Sequence, residues 1–156
     1  MRAHNPDARM PKPTTSVEIG ETIVDIPSML EWRDDDGTLV AYLPGTNFAN
    51  LRFTLLTIER KDGNLDGGVR AITRRAAEDG AKLETSGRKV WYYTTEPASE
   101  GSEGSRMHYW RVGMDDHMLV ISCFVDSEMQ DSAEAASVLS CVQPAIHSFR
   151  KAGWPA

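Results

Sequence analysis

The 156-residue chain has few cysteines and no long hydrophobic run, and each absence excludes a class of protein. Two cysteines, Cys123 and Cys141, cannot build the disulfide framework that small secreted proteins use. No apolar run approaches the roughly 18 residues that a membrane-spanning helix needs. Residues 1–15 are polar, contain three prolines and lack the apolar centre of a signal peptide. The sequence therefore predicts a soluble, cytoplasmic protein that does not insert into a membrane.

Positive charge is also scarce. The chain has 17 Lys and Arg against 23 Asp and Glu, which gives a net charge of -6 and a pI near 5.2. Nucleic acids and anionic membranes both attract basic surfaces, so we expect neither as a partner. Hydrophobic residues make up 40% of the chain, which is enough for one core in a protein of one-domain length.

The hydrophobic pattern predicts a single domain over residues 16–152, between a flexible tail at 1–15 and a short tail at 153–156. Asp66 as N-cap and Gly80 after the last turn delimit one helix. A second helix is predicted from 131 to 150, with a break near Val142 because Pro144 lies inside it. The other segments alternate as strands do. The predicted strands are 17–19, 22–26, 39–43, 51–58, 82–85, 89–95, 107–114 and 118–126. The fold class is α+β, a largely antiparallel sheet of about six to eight strands with two helices packed on it.

One motif carries a family resemblance. Val24-Asp25-Ile26-Pro27, followed by Trp32, resembles the opening of PsbP-like and DcrB-like domains, and the order of elements over residues 16–150 is similar. This fold family includes the chaperones that accompany type VI secretion effectors. The resemblance implies a non-enzymatic bacterial accessory protein that binds another protein, and it implies no catalytic residues.

Motifs for catalysis are missing. The four histidines (His4, His108, His117 and His147) are too far apart for zinc spacing, and there is no G-x-S-x-G elbow, P-loop or G-x-G-x-x-G. Both cysteines occupy apolar positions that suit core packing. We therefore expect no catalytic residue and no cofactor, although an enzyme of unrecognised type stays open as an alternative.

One acidic loop has a partial metal-binding pattern. The string from Asp62 through Asn64 and Asp66 to Gly67 matches the first six positions of a calcium loop. The twelfth position, which should be glutamate, is Thr73. A strand-to-helix turn explains the string, and no metal site is predicted. A small-ligand or calcium-binding module using Asp62, Asn64 and Asp66 remains the alternative.

Aromatic residues crowd two neighbouring predicted strands, 89–95 and 107–114. Alternation places Trp91 and Tyr93 on one face of the sheet and Tyr92 on the other. Tyr and Trp anchor many protein interfaces, although cross-strand pairing within the sheet would also explain them. The predicted partner-binding residues are Trp91, Tyr93, Tyr109 and Trp110, with Asp115 and Asp116 at the adjoining turn.

The predicted partner is another protein, either a toxin or a secreted effector. The chain would then be an immunity protein or an effector-associated chaperone. An immunity protein for a toxin that acts on nucleic acid should present an acidic surface, which complements a basic cleft. A chaperone should instead present a concave apolar groove.

Overall fold

A computed structural model describes residues 13–45 and 50–153. The described chain forms ten strands, three α-helices and one short 3₁₀ helix. The strands are β1 (Thr14–Ile19), β2 (Thr22–Pro27), β3 (Glu31–Asp35), β4 (Thr38–Tyr42), β5 (Leu51–Thr57), β6 (Glu84–Ser86), β7 (Lys89–Pro97), β8 (Arg106–Met114), β9 (His117–Val125) and β10 (Arg150–Lys151). The helices are α1 (Gly67–Glu78), α2 (Ala133–Leu139), α3 (Val142–Ser148) and the 3₁₀ turn Ser127–Met129.

The strands form two antiparallel sheets, which confirms the predicted α+β class. The large sheet has seven strands in the order β3-β4-β5-β9-β8-β7-β6. The small sheet has three strands in the order β1-β2-β10. Each pairing in both sheets is antiparallel. None of the helices in the described ranges has the length and hydropathy of a membrane span.

The main core lies between the large sheet and a layer made of β1, β2, α2 and α3. We call the sheet face toward this layer the inner face; it carries Phe53, Leu119 and Ile121, all fully buried. The opposite, outer face is covered at one end by α1, where Ile72 and Ala76 pack on Tyr92. Cover by α1 explains the outward Met118 of β9, which packs on the Tyr92 cluster, whereas the outward Leu56 of β5 stays 47% exposed.

The predicted C-terminal helix is divided into α2 and α3 at Ser140 and Cys141. Pro144 is the third residue of α3, where its missing N–H costs little because first-turn donors have no partner within the helix. Continued upstream, the same helix would bring the proline ring against the carbonyl of Ser140. The predicted break is thus confirmed. The prediction that this helix reaches 150 is wrong, because Phe149 is extended and β10 follows it.

One strand boundary and one additional strand also differ from the predictions. β1 begins at Thr14, inside the segment predicted as a tail, because Thr14 and Thr15 pair with Pro27 and Ile26. β3 was not predicted, since all five of its residues are exposed and no buried alternation marks it. Of the predicted tails, residues 1–12 and 154–156 lie outside the described residues.

Glycines allow α1 to lie directly on the β8–β9 hairpin. A Cβ at Gly67 would be 2.1 Å from the carbonyl oxygen of Ile58, and one at Gly68 would be 2.0 Å from that of His117. A Cβ at Gly113 of β8 would lie 2.7 Å from the carbonyl oxygen of Gly68. The backbone N–H of Val69 then donates to the carbonyl of Asp115 at 3.1 Å. Contact this close fixes the hairpin that carries the aromatic residues of β8.

Candidate functional site

Three aromatic rings form a platform on the inner face near one end of the large sheet. The β7–β8 register pairs Tyr93 with Trp110 and Thr95 with His108, so the three rings share one face. The ring centroids of Tyr93 and Trp110 are 5.1 Å apart, and His108 lies about equally far from both, at 5.9 and 6.1 Å. A hydrogen bond of 2.7 Å joins the Tyr93 hydroxyl to Nδ1 of His108.

Burial disfavours the charged form of this histidine. Desolvation, with a smaller contribution from the positive charge of Arg106, lowers the pKa of His108 below its usual value. The shift favours the neutral imidazole, which suits a ring packed between Tyr93 and Trp110. His108 is the third ring of the platform, and no motif in the sequence predicted this role.

The platform borders a groove between the large sheet and the break between α2 and α3. We call this the aromatic groove; it has a volume of about 770 Å³. Its lining is mostly apolar on the floor and mixed on the rim. The sheet side is Trp91, Tyr93, Trp110, Ala81, Lys82 and Glu84, and the helix side is Leu139, Ser140, Gln143 and Pro144.

Exposure differs sharply among the aromatic residues of the groove. Trp91 and Trp110 are each 7% exposed and form its floor, whereas Tyr93 is 42% exposed and stands at its edge. The indole Nε1 of Trp91 is buried and has no hydrogen-bond partner in residues 13–45 and 50–153. Tyr93 is therefore the aromatic side chain that an incoming molecule would meet first.

Two other tyrosines of these strands lie on the outer face. Tyr92 is fully buried under α1, its hydroxyl donates to Asp79 at 2.7 Å, and burial raises its pKa to about 12. Tyr109 is half-buried, with the guanidinium of Arg111 4.8 Å from its ring centroid. The structure thus brings Trp91, Tyr93 and Trp110 together and places Tyr109 on the opposite face from them.

The two loop acids are largely buried within the protein. The Asp115 carboxylate lies 3.1 Å from Arg88 and 3.3 Å from Lys151, and its side chain is only 16% exposed. Oδ1 of Asp116 lies 3.6 Å from Nε2 of His117, and neither atom has a hydrogen-bond partner within residues 13–45 and 50–153. The contacts of Asp115 give the turn an internal structural role, and the role of both acids in partner binding stays a prediction.

The acidic loop before α1 holds an internal cation. Arg60 donates to Asp66 at 2.7 Å and also to the carboxylate of Asp62. The backbone N–H of Asn64, followed by the charge of Arg60, lowers the pKa of Asp62. Asp66 is the N-cap residue by position, but its side chain caps no helix N–H. Within the described ranges, no three His, Cys, Asp or Glu residues are arranged to hold a metal ion.

We predict that calcium will not stabilise the protein. The guanidinium of Arg60 occupies the space between the two carboxylates that a calcium ion would need. Adding millimolar calcium should leave the melting temperature unchanged, because a ligand raises it only by binding the native state. Arg60→Gln removes the guanidinium from both carboxylates, and its melting temperature with and without calcium provides the comparison. A clear calcium-dependent rise in the wild-type melting temperature would reinstate the calcium-loop interpretation.

Comparison with known proteins supports the fold. No protein-family model and no curated protein matches the chain. A crystal structure of a protein from Bacteroides thetaiotaomicron VPI-5482 matches with a TM-score of 0.66 and 21% identity. The match covers 94% of this chain and 52% of that protein, so this chain spans about half of that protein's length. The solution structure of cyanobacterial PsbP (CyanoP) from Synechocystis sp. PCC 6803 matches with a TM-score of 0.53 and 13% identity, covering 89% of this chain and 91% of that one.

The chain has a PsbP-like fold. This confirms the PsbP part of the resemblance seen in the sequence, and identities this low carry the fold alone. Sequence reasoning also missed one wall of the aromatic groove. Leu139 and Pro144 form one wall only because the chain breaks between α2 and α3 and α3 returns past β7, a non-local arrangement. The one local signal was Pro144 itself, which predicted the break.

Proposed function

We propose that this protein is a non-catalytic protein-binding module that holds an apolar segment of another protein in the aromatic groove. The observation that carries the proposal is the 42% exposure of Tyr93 beside two buried tryptophans in a concave site. Concave sites lined by apolar and aromatic side chains are the usual form of binding pockets. Tyr and Trp contribute much of the binding energy at interfaces because they bury a large, rigid surface.

The apolar floor favours a chaperone for a secreted effector over an immunity protein. Trp91, Trp110, Leu139 and Pro144 offer the groove that a chaperone needs. An immunity protein was expected to use loop acids, and Asp115 is instead paired with Arg88 and Lys151. The groove is therefore the better-supported contact surface, and the partner we propose is a bacterial effector.

A cytoplasmic location is part of this proposal. Desolvation raises the pKa of the buried Cys123 thiol to about 12, so this thiol stays protonated and unreactive. Two cysteines in a chain of this length do not make a disulfide framework, and this composition agrees with a reducing compartment. An effector-associated chaperone meets its effector in that compartment, before secretion.

We expect Tyr93→Ala to weaken partner binding about 30-fold, the effect typical of an interface anchor worth about 2 kcal/mol. The partner would first be trapped in the native host by a photo-crosslinking amino acid at position 93. Its affinity for the wild-type protein and the variant would then be measured by isothermal titration calorimetry. Loss of the Tyr93 contacts with His108 and Trp110 should lower the unfolding temperature by only a few degrees, so the variant remains folded during the titration.

Tyr109→Ala is the matched control, since it removes the same side chain from the outer face of the next strand. Its partner affinity should equal that of the wild-type protein. Equal weakening by both variants, or crosslinks from position 109 alone, would move the binding surface to the outer face. If position 93 yields no crosslinked protein, the groove proposal fails.

A further inference from the structure

Strand β7 is longer than its neighbour β6, and the difference leaves part of β7 without a partner strand. β6 pairs with only the first three residues of β7, Lys89 to Trp91, whereas β8 pairs with all nine. Beyond Trp91, no strand within residues 13–45 and 50–153 pairs with β7 on the side of β6. Tyr93, Thr95 and Pro97 are exposed. We call the stretch from Tyr93 to Pro97 on this side the free edge of β7.

The hydrogen-bond pattern of the sheet shows which main-chain groups the free edge offers. Successive residues of an antiparallel strand direct their N–H and C=O to opposite neighbours. Gly87 and Arg88 form the two-residue turn between β6 and β7, and the residues that flank such a turn form a hydrogen-bonded pair. The odd-numbered residues of β7 therefore face β6. The N–H and C=O of Tyr93 and Thr95 consequently lie at the free edge, whereas those of Thr94 face β8.

The free edge lacks the features that keep edge strands from pairing with other chains. Charged side chains, especially lysine, and prolines commonly provide this protection. β3, at the opposite edge of the large sheet, has four charged residues among its five. Tyr93, Thr94 and Thr95 are uncharged and have high β-propensity, and the proline of this strand comes at its end. This stretch therefore suits pairing with an added strand.

The free edge is continuous with the aromatic groove. The register places Tyr93 and Thr95 opposite Trp110 and His108, so these side chains share the inner face. Lys82 would pair with Tyr93 if the β6–β7 register continued, but it is unpaired, exposed and lines the groove. A strand added at the free edge would direct every second side chain to the inner face, beside Tyr93 and Trp110. Apolar side chains suit these positions, because the groove floor is apolar.

We propose that the partner segment is an extended β-strand that pairs with the free edge at Tyr93 and Thr95 and directs apolar side chains at alternate positions into the aromatic groove. This inference rests on the proposed function, and it names the conformation and the sequence pattern of the segment that the partner supplies. In such pairing the main-chain hydrogen bonds give affinity, and the pockets for alternate side chains give specificity. A helix uses its N–H and C=O groups internally, so it would leave the free edge unpaired.

Ten-residue peptides displayed on phage are the probes, and the full-length protein is the bait. One library has apolar residues at alternate positions, the other has leucines at helical spacing, and both exclude proline. We expect the alternating library to yield the binders, and Tyr93→Ala to weaken their binding about 30-fold. Methylating the backbone nitrogens of the best peptide one at a time should weaken binding about fivefold or more at every second residue only, because a strand turns alternate N–H groups toward the edge.

Thr95→Pro tests the free edge from the side of the protein. Proline removes the Thr95 N–H, which faces away from β8, so β7 keeps its pairing with β8. Thr95→Val is the matched control, because both variants lose the side-chain bond from Arg106 but valine keeps the N–H. We expect Thr95→Pro to bind the selected peptide about tenfold more weakly than Thr95→Val, from the lost hydrogen bond and the added ring.

Amide hydrogen exchange of the unmodified protein provides a reading that needs no variant. Saturation with the peptide should slow exchange about tenfold at Tyr93 and Thr95, whose N–H groups gain partners. Exchange at Thr94 should not change, because its N–H faces β8 with and without the peptide. This contrast between neighbouring residues is expected for an added strand and for no other bound conformation.

The remaining outcomes separate the inference from the proposed function. If only helically spaced peptides bind, and do so through Tyr93, the strand inference is overturned while the protein-binding groove stands. Equal binding by Thr95→Pro and Thr95→Val also overturns it, as does unchanged exchange at Thr95, which decides the matter if Thr95→Pro fails to fold. If neither library yields a peptide sensitive to Tyr93→Ala, and position 93 crosslinks to no protein in the host, the inference and the proposed function fall together.

Discussion

Replacement of Gly68 by alanine is expected to lower the free energy of unfolding by about 3 kcal/mol or more, the upper range for overpacking a tight contact. The added Cβ would lie 2.0 Å from the carbonyl oxygen of His117, which is backbone and cannot rotate away. Relief requires α1 to move off the β8–β9 hairpin. That movement would break the hydrogen bond from Val69 N–H to the Asp115 carbonyl and expose Tyr92.

Urea unfolding followed by tryptophan fluorescence measures this loss. The matched control is Gly80→Ala, at the C-terminal end of the same helix. Gly80 has φ 64° and no atom within 4 Å of an added Cβ, so only the left-handed backbone is penalised, by about 1 kcal/mol. If Gly68→Ala cost no more than Gly80→Ala, the close contact between α1 and the hairpin would be wrong.

The sequence predicted best those elements whose signals are local. The helix bounded by Asp66 and Gly80 was found from its cap residues, and Gly80 indeed adopts a positive φ after α1. The hairpin of β8 and β9 followed from alternation around a polar turn. β3 escaped detection because its five residues are exposed and charged apart from Trp32, as suits an edge strand that avoids pairing with other chains.

The candidate site was only partly accessible to sequence reasoning. Alternation correctly separated Trp91 and Tyr93 from Tyr92, yet it could not say which face the helices cover. The answer depends on where the helices lie: α1 packs over Tyr92, whereas α2 and α3 leave Tyr93 partly exposed. Long-range packing determines both placements. Likewise, Arg60 precedes the acidic loop in the sequence, but nothing local shows that its guanidinium reaches Asp62 and Asp66.

The role of Lys89 was the hardest of these features to predict from the sequence, because a lysine at the start of a strand normally points to water. Its side chain is only 8% exposed, and Nζ donates to the carbonyls of Ile146, His147 and Phe149 at 2.8, 2.5 and 3.0 Å. A helix leaves its last carbonyls without partners, and a cation there also balances the helix dipole. Lys89 therefore ties α3, and with it the Pro144 wall of the groove, to β7.

Lys89→Met is expected to lower the free energy of unfolding by about 3 kcal/mol, because three charge-assisted hydrogen bonds to carbonyls are lost, although the Ile146 carbonyl keeps its bond from the Phe149 N–H. Methionine keeps most of the side-chain volume, so a cavity contributes little. Urea unfolding at pH 7 provides the measurement. Lys61→Met, at an exposed loop position, should change stability by no more than about 0.5 kcal/mol. Similar losses in the two variants would show that Lys89 does not cap α3.

Comparison of Lys89→Met with the wild-type protein also tests how the stability contributed by Lys89 changes with pH. Burial, and secondarily the charge of Arg150, lowers the pKa of Lys89 from its ordinary 10.5. The unfolded chain then binds more protons than the native one between the lowered pKa and 10.5, so stability contributed by Lys89 rises with pH across that window. Subtracting the Lys89→Met curve cancels the other alkaline groups, including Tyr92 and Cys123. The difference between the wild-type protein and the variant should therefore widen toward pH 10.5. A narrowing difference would mean that the three carbonyls stabilise the ammonium more than burial penalises it.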